Sequence, residues 1–443
     1  MQRSRRPKVR VTSGGQGVVA HAGARLLCEL ADSVGLSVGL SAAMAPTKQR
    51  RRGHDRGEVL VDLAVAIADG ATTITDLQVL ANQPALFGEV ASTATAWRTL
   101  GAIDDAAVAR IAKARATARR VAWEAGMDPG FYVIDIDGTL VTAHSDKEGA
   151  AANYKHGYGF YPLLAYLDAT GEALAGLLRP GNAGSGTAED HLRVLDMALA
   201  QLPVDPHATE VIARTDSAGC SHDFLDGCRR RGVRFVTGHR LSAEVAAVAM
   251  AVPERRWLPA ISADGTDERD HAQVAELTHL VDLSGWPDGT RLIARREEAH
   301  PGAQLTFTDI DGHRYQVFLT DHPSGDIAFL EGLYRGRGRC ECAIRDAKDT
   351  GLANLPSARF AINTAWLAAV LIAGDLLAWA KALCLEGELA RAEPKRLRYT
   401  LLHAAAVLAR SARRSTMRIA EGWPWADELV AAFARLPGWS LTS

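Results

Sequence analysis

The sequence is poor in cysteine and lacks the paired spacing that a zinc ribbon needs. Its six cysteines are scattered over 443 residues, and no two of them form a Cys-x2-Cys pair. This absence argues against a zinc-ribbon protein. Cys340 and Cys342 are close in sequence, but such near neighbours point in different directions on a helix. We therefore predict that the thiols are reduced and that the protein is cytosolic.

The sequence also lacks the hydrophobic signals of secreted and membrane proteins. The basic N-terminus, MQRSRRPKVR, is followed by no apolar core, so no secretory signal is predicted. The most apolar stretch, residues 361–380, contains Asn363, Thr364 and Asp375. These polar side chains favour a buried core helix over a membrane span.

A formal net charge of only −2 conceals a strong separation of charge along the chain. Residues 1–125 carry 17 Lys and Arg against 11 Asp and Glu, and residues 331–443 carry 16 against 11. The middle of the chain has 17 basic and 30 acidic residues. Basic terminal segments and an acidic central segment are expected of a protein whose terminal segments bind a polyanion and whose central carboxylates bind metal ions.

The apolar patterns divide the chain into regions of different structure, as its length leads us to expect. We predict four of them: a basic disordered arm over 1–20, a helical domain over 21–125, an α/β domain over 126–385, and a basic helical region over 386–443.

The α/β domain has a distinctive order of elements. From residue 130 the patterns predict three strands, then a helix, a strand, a helix and a strand, which is the order of a ribonuclease H-like fold. Short connections between the first three strands indicate antiparallel pairing. The 125 residues between Asp216 and Glu341 are too many for that fold alone. We therefore predict a β-rich insertion at about 240–330.

Three widely separated carboxylates are the strongest candidates for chemistry. Asp137 in IDIDGTLV and Asp216 in VIARTDS lie at the ends of predicted strands, and Glu341 lies on a predicted helix. Carboxylate oxygens are the ligands that Mg²⁺ prefers, and a pair of ions can hold both the attacking and the leaving oxygen of a phosphodiester. The sequence therefore predicts a metal-dependent phosphoryl-transfer site.

Glu341 is predicted to lie in a row of polar side chains along one face of a single amphipathic helix. At 100° per residue, five side chains share a narrow arc: Tyr334, Arg337, Glu341, Arg345 and Lys348. Such a row could follow a phosphate backbone, or it could be a solvated face stabilised by ion pairs. The row by itself leaves both interpretations open.

The spacing Tyr-x2-Arg-x3-Glu-x6-Lys, with Asp137 in Asp-Gly-Thr and Asp216 in Arg-Thr-Asp-Ser, resembles the cut-and-paste DDE transposases of bacterial insertion sequences, transposase DDE domain group 1. The resemblance covers roughly residues 20–385. It implies that Asp137, Asp216 and Glu341 bind Mg²⁺ or Mn²⁺, as two ions. It also implies that Tyr334, Arg337 and Lys348 contact DNA. Arg345 is predicted to join them because it shares their face of the helix.

The same resemblance implies a reaction and its partners. The enzyme would cut the transposon end, and the freed 3′-OH would attack target DNA without a covalent enzyme intermediate. The helical domain would recognise the terminal inverted repeats of double-stranded DNA. Because two ends must be brought together, a homodimer on DNA is expected. No membrane is involved, and the predicted location is the bacterial cytoplasm, associated with the nucleoid.

Two other functions compete with this interpretation. Asp135 and Asp137 point the same way on one strand, so Asp135 could be the metal ligand in place of Asp137, although the Asp-Gly-Thr context favours Asp137. DIDGT is also the motif of haloacid-dehalogenase-type phosphatases, where Asp135 would be the nucleophile and Asp137 the general acid/base. The later acidic pair of such enzymes is not found at the required spacing. The third possibility is a DNA-binding protein derived from an inactive transposase, although the carboxylates and the helix row are intact.

Three more residues have roles that the sequence leaves undecided. Arg179, in a stretch that resembles an Arg-Pro-Gly-Asn segment of these transposases, could form a turn or contact a phosphate. Trp257 and Trp286 lie in the predicted insertion. Either could stack on a flipped base, or belong to the core as most tryptophans do.

Overall fold

The computed structural model describes residues 9–48, 53–184, 187–262, 265–298, 309–310, 312–411 and 414–438. The first eight residues of the predicted disordered arm lie outside these ranges. So do residues 299–308 of the predicted insertion.

The N-terminal region is helical, as the apolar periodicity predicts. Its described elements are one short strand and seven α-helices: β1 (Val18–Val19), α1 (Arg25–Ser33), α2 (Leu36–Met44), α3 (Arg56–Asp69), α4 (Gln78–Ala81), α5 (Pro84–Phe87), α6 (Thr93–Leu100) and α7 (Asp105–Ala122). Side chains cap the longer helices at their first turns. Asp55 accepts hydrogen bonds from the N–H groups of Gly57 and Glu58 at the start of α3, and Asp104 accepts one from Ala107 at the start of α7.

The rest of the α/β region alternates strands and helices. Its strands are β2 (Tyr132–Gly138), β3 (Val141–Thr142), β4 (Ala151–Ala152), β5 (Tyr158–Phe160), β6 (Leu163–Leu167), β7 (Ala173–Leu177), β8 (Val211–Thr215), β9 (Val233–His239), β10 (Leu258–Ile261), β11 (Glu268–Glu276), β12 (Arg291–Glu298), β13 (Asp309–Ile310) and β14 (His313–Thr320). Its helices are α8 (Ala188–Leu199), α9 (His222–Arg230), α10 (Ala243–Met250), α11 (Ile327–Arg335), α12 (Gly338–Ala347) and α13 (Phe360–Trp379).

The strand order confirms the predicted ribonuclease H-like fold. Five strands stand side by side in the order β7-β6-β2-β8-β9. The pairs β6–β7 and β2–β6 are antiparallel, whereas β2–β8 and β8–β9 are parallel. Helix α8 joins β7 to β8, and α9 joins β8 to β9, as parallel strands require a crossover.

The predicted β-rich insertion continues this sheet and does not form a sheet of its own. Strand β14 pairs antiparallel with β9, and β12, β11 and β10 follow in turn. Within the described ranges the complete sheet has ten strands. The insertion thus extends the sheet beyond its last parallel strand.

Alternate residues of the central strands face different layers of helices. Val133 and Ile212 pack in a cluster with Leu330 and Leu333 of α11. Ile134, the next residue of β2, belongs to the main hydrophobic core instead. Because successive residues of a strand point to opposite faces, one face of the sheet packs against α11 and the other against α8 and α9.

Helix α13 is the core helix that the sequence predicts. The helical stretch Phe360–Cys384 is long and apolar enough to cross a membrane, but 78% of its most apolar window is buried inside the protein. Its Asp375 is fully buried and forms ion pairs with Arg115 and Arg119 of α7, at 2.8 and 2.7 Å. The N-terminal helices therefore share one core with the sheet.

The C-terminal region differs from the predicted helical structure. Its described elements are α14 (Pro394–Leu397), β15 (Ala406–Ser411), β16 (Arg414–Ile419) and α15 (Ala426–Ala434). The prediction of a helical region over 386–443 is wrong at β15 and β16, which form a hairpin. Strand β15 also pairs with β1, so Val18–Val19 belongs to a sheet rather than to a disordered arm. Val19 and Ala406 are buried beside Leu86, and this packing favours a strand at β15 although the local sequence favours a helix.

Candidate active site

Asp137 and Asp216 meet because their strands are parallel neighbours. Asp137 lies one residue before the end of β2, and Asp216 directly follows β8. One carboxylate oxygen of Asp137 accepts a hydrogen bond from the N–H of Gly138 at 2.7 Å. Asp216 accepts one from Ala218 at 2.9 Å and so caps a short turn. Each side chain is held in place by the backbone that follows it.

Arg337 joins Asp137 to the carboxylate on the helix. Its Nη2 donates to Oε1 of Glu341 at 2.8 Å, and its Nη1 donates to Oδ2 of Asp137 at 3.3 Å. Glu341 lies in the first turn of α12, and its side chain is 62% exposed. The structure thus connects the first and third predicted ligands through one guanidinium.

The pKa of the Asp137 carboxyl is raised by its surroundings. Burial raises the pKa of this carboxyl to about 6, and the neighbouring Asp216 carboxylate pushes in the same direction. The Arg337 guanidinium opposes the rise, while Glu341 adds to it. Three neighbouring carboxylates, of which Asp137 is only partly exposed, favour the binding of positive charge between them.

The chemistry of this donor set fits a divalent cation. All the candidate ligands are carboxylate oxygens, which hard cations prefer. The Arg337 guanidinium lies between two of them and stands in for the charge that a metal ion would bring. Among the described residues, however, the ligand atoms of this trio are not all within 4.8 Å of one another.

The helix that carries Glu341 is not the single helix that the sequence predicts. Helix α11 ends at Arg335 and α12 begins at Gly338, with a tight turn between them. Glycine is needed in this turn, since a Cβ on Gly336 would lie 2.5 Å from Nη1 of Arg214. Gly336 and Arg337 keep right-handed helical backbone angles, and the N–H of Arg337 donates to the carbonyl of Tyr334 at 3.1 Å. The interruption is therefore a local tightening between two helices.

The four predicted DNA-contacting residues therefore have different surroundings. The Tyr334 ring stacks on Phe318, with ring centres 4.7 Å apart. Arg345 forms an ion pair with the exposed Glu393 at 2.6 Å. Arg337 bridges the carboxylates, as described above.

Lys348 is the fourth residue of this set, and its ammonium has no hydrogen-bond or ion-pair partner among the described residues. Burial, and then the nearby Lys155, lowers the pKa of Lys348. An unpaired ammonium next to a second lysine suits an anionic partner.

Asp135, the alternative ligand, is occupied by a buried ion pair that the sequence analysis missed. Arg214 donates to both of its carboxylate oxygens, at 2.6 and 2.7 Å, and also contacts Asp168 at 2.8 Å. Arg214 donates in addition to the carbonyl of Leu333, and Arg339 pairs with Asp168. Asp135 is 1% exposed. A group so enclosed is not available as a phosphatase nucleophile.

A sequence signal for this pair does exist. Asp135 precedes Asp137 by two residues, and Arg214 precedes Asp216 by two. On adjacent parallel strands this places an acid and a base side by side, and the register indeed pairs Asp135 with Arg214.

The structure also places the three residues that the sequence left undecided. Arg179 is buried and donates to the carbonyls of Tyr161 and Gly184, as a residue that shapes a turn does. Trp257 is buried, and the guanidinium carbon of Arg296 lies over its ring, 4.3 Å from the ring centre.

Trp286 is partly buried, and its ring stacks on His222 with centres 4.0 Å apart. It also meets His239 edge-on, at 5.6 Å. Trp257 is therefore a core residue, whereas Trp286 remains partly exposed.

One protein family matches almost the entire length of the chain. The family described as transposase DDE domain group 1 matches residues 1–440. No curated protein matches. Among solved structures, a cryo-EM structure of a piggyBac transposase synaptic complex with hairpin DNA aligns over 86% of this chain and 80% of its own, with 10% identity and a TM-score of 0.41. Because one family match spans nearly the whole chain, the protein belongs to the transposase DDE domain group 1 family and is a DNA-cleaving transposase.

Proposed function

We propose that this transposase cuts DNA at terminal inverted repeats with a site made of Asp137, Asp216 and Glu341. The observation that carries the proposal is the Arg337 bridge, which links Asp137 and Glu341 beside Asp216. Transposases of this family bind DNA and use divalent metal ions. The carboxylates supply the oxygen ligands for such ions.

We infer that Mg²⁺, as two ions, is the metal of the reaction, and that Mn²⁺ can replace it. When bound, the ions would polarise the phosphodiester and lower the pKa of the attacking water. The protein's own part is to position the ligands. The N–H groups of Gly138 and Ala218 orient Asp137 and Asp216, and α12 presents Glu341.

Arg337 is suited to exchange one partner for another during this reaction. In the structure it neutralises Asp137 and Glu341. A divalent ion would take over that neutralisation, and the guanidinium would then be free to donate to a DNA phosphate near the cut. Arginine matches phosphate through paired donors.

Lys348 is proposed as a second phosphate contact. Its ammonium is unpaired among the described residues and lies near Lys155. Tyr334 would act less directly, because its ring is packed on Phe318. Arg345 would have to leave Glu393 before contacting DNA.

The inferred partners are the transposon ends, the target DNA and a second copy of this chain. The basic N-terminal helices would recognise the inverted repeats, and bringing two ends together would require a dimer. The inferred place of action is the nucleoid in the bacterial cytoplasm.

A cleavage assay with the DNA that flanks the gene tests the proposal. We expect a duplex carrying the terminal inverted repeat to be cut at the repeat end in Mg²⁺ and left intact in EDTA. Cleavage that continues in EDTA, or that is unaffected by Glu341→Ala, would contradict the assigned site.

A further inference from the structure

Two histidines and an aspartate from three distant segments converge away from the catalytic carboxylates. Asp69 is the last residue of α3, His21 precedes α1, and His403 follows the turn Arg398–Leu402. Nδ1 of His21 is 2.6 Å from Oδ2 of Asp69, and Nε2 of His403 is 3.3 Å from Oδ1. Among the described residues, these three are the one group of three or more His, Cys, Asp or Glu side chains whose ligand atoms all lie within 4.8 Å of one another.

The aspartate in this group has an unsatisfied oxygen. Asp69 is 6% exposed, and its buried Oδ1 makes no hydrogen bond with any described residue. Nε2 of His403 is directed at the backbone carbonyl of Asp69, at 2.8 Å. A buried carboxylate oxygen without a donor costs free energy, so the site favours a cation there.

We propose that His21, Asp69 and His403 bind one Zn²⁺ ion. Two imidazoles and a carboxylate are ligands that zinc accepts, at about 2.0–2.2 Å, and such ligand atoms stand about 3.3 Å apart around a tetrahedral ion. The separation of Nε2 of His403 from Oδ1 of Asp69 already has that value. The closer contact of His21 with Asp69 is a hydrogen bond, whose proton the ion replaces. Nε2 of His403 would likewise bind the ion without a proton, so it would give up its 2.8 Å hydrogen bond to the carbonyl of Asp69.

The exposure of the ligands leaves room for a fourth one. The side chains of His21 and His403 are 28% and 41% exposed, whereas that of Asp69 is 3% exposed. The ion therefore has a path from solvent, and a water molecule can complete its coordination. Three protein ligands and one water are a common zinc arrangement.

The position of the site indicates a structural role. It lies where the N-terminal segment and the C-terminal segment meet at the end of α3. The N–H of Ala22 donates to the carbonyl of Ala404 at 2.9 Å, and β1 pairs with β15 beside it. An ion that binds only this folded arrangement stabilises it in proportion to the logarithm of metal concentration. The zinc thus holds both terminal segments on the helical region.

Metal content and thermal stability of the full-length protein test the proposal. The protein is stripped with a chelator, loaded with ZnCl₂ in an excess of Mg²⁺ that occupies the catalytic carboxylates, and passed through a desalting column. We expect about one zinc per chain and a melting temperature that rises with added zinc. His403→Ala and His21→Ala should lose both effects, as should Asp69→Asn.

The chain offers a matched control and a second measurement. His271 pairs with Glu298 at 2.8 Å, but both are exposed, so His271→Ala should keep the zinc and the thermal shift. If Asp69→Asn fails to fold, the partly exposed His403→Ala still decides. Co²⁺ should give the intense visible absorption of tetrahedral coordination in the wild type and not in His403→Ala. Zinc retained equally by wild type and all three variants, or by none, would overturn the site.

Discussion

The guanidinium of Arg337 lies 3.3 Å from the carboxylate of Asp137, although 200 positions separate the two residues in the chain. The same guanidinium holds Glu341. A cation therefore already occupies the space between two proposed metal ligands. This relationship is the structural reason for treating α12 as part of the catalytic site rather than as a solvated surface helix.

The first prediction concerns the metal ligands. Alanine at Asp137, Asp216 or Glu341 should abolish Mg²⁺- and Mn²⁺-dependent cleavage, because each removes an oxygen donor. Binding to the inverted repeat should remain nearly unchanged, since these side chains carry no positive charge. Cleavage gels and a binding assay on the same preparations measure both. The exposed Asp427→Ala in α15 is the control and should cut normally. Normal cleavage by one of the three variants would remove that residue from the site.

The second prediction separates DNA contacts from ion pairs. Arg337→Ala and Lys348→Ala should weaken end binding and reduce the slope of log K against log salt concentration by roughly 0.9 for each lost phosphate contact. Arg339→Ala should change the slope much less, because Arg339 is paired with Asp168 on the other side of α12. Equal slopes for the three variants would show that the Tyr-Arg-Glu-Lys spacing carries no positional information.

The third prediction concerns the buried pair under the site. Asp135→Ala should lower the free energy of unfolding by about 3–5 kcal/mol, because it leaves Arg214 charged and without its main partner in the interior. Glu393→Ala, which breaks the exposed pair with Arg345, should change it by less than about 1 kcal/mol. Denaturant unfolding measures both. A mild effect of Asp135→Ala would indicate that Arg214 has access to water or to another acid.

The fourth prediction distinguishes transposase from phosphatase. The wild-type protein should not hydrolyse small phosphate monoesters, and no phospho-enzyme should be trapped. A phosphatase would form an aspartyl-phosphate on Asp135, but that carboxylate is enclosed by Arg214. Steady turnover of a generic phosphomonoester by the pure protein, lost in Asp135→Asn, would contradict the family assignment of function.

The fifth prediction is a pH dependence of stability in the helical region. Burial, and then Glu58, raises the pKa of Asp62 in α3 to about 7, from an ordinary value of 3.8. The folded state therefore binds this proton more tightly than the unfolded state, so the stabilisation is complete below about pH 4 and is lost as the pH rises through about 7. Asp62→Asn should melt higher than the wild type at pH 8, and Glu58→Gln should show a smaller rise. Identical melting temperatures at pH 8 would show that Asp62 is ionised without cost.

Local patterns in the sequence determined the family, the order of the strands and the burial of α13. Apolar runs reveal which residues face a core, and the spacing of strands and helices follows from them. The same patterns identified Asp137, Asp216 and Glu341 as candidate ligands. The assignment of these three as ligands stays a prediction until the variants are measured.

Tertiary structure decided which distant partner each charged residue meets. Strand register placed Arg214 beside Asp135, and Gly336, between α11 and α12, lies close to the same Arg214 side chain. In the C-terminal region that was predicted to be helical, β15 and β16 form a hairpin, and β15 also pairs with β1. The same docking of the two ends brought His21 and His403 to Asp69. Local periodicity shows which side of a helix or strand is buried. It does not show which residues lie against that side, because those residues can be hundreds of positions away in the chain and are brought there by packing.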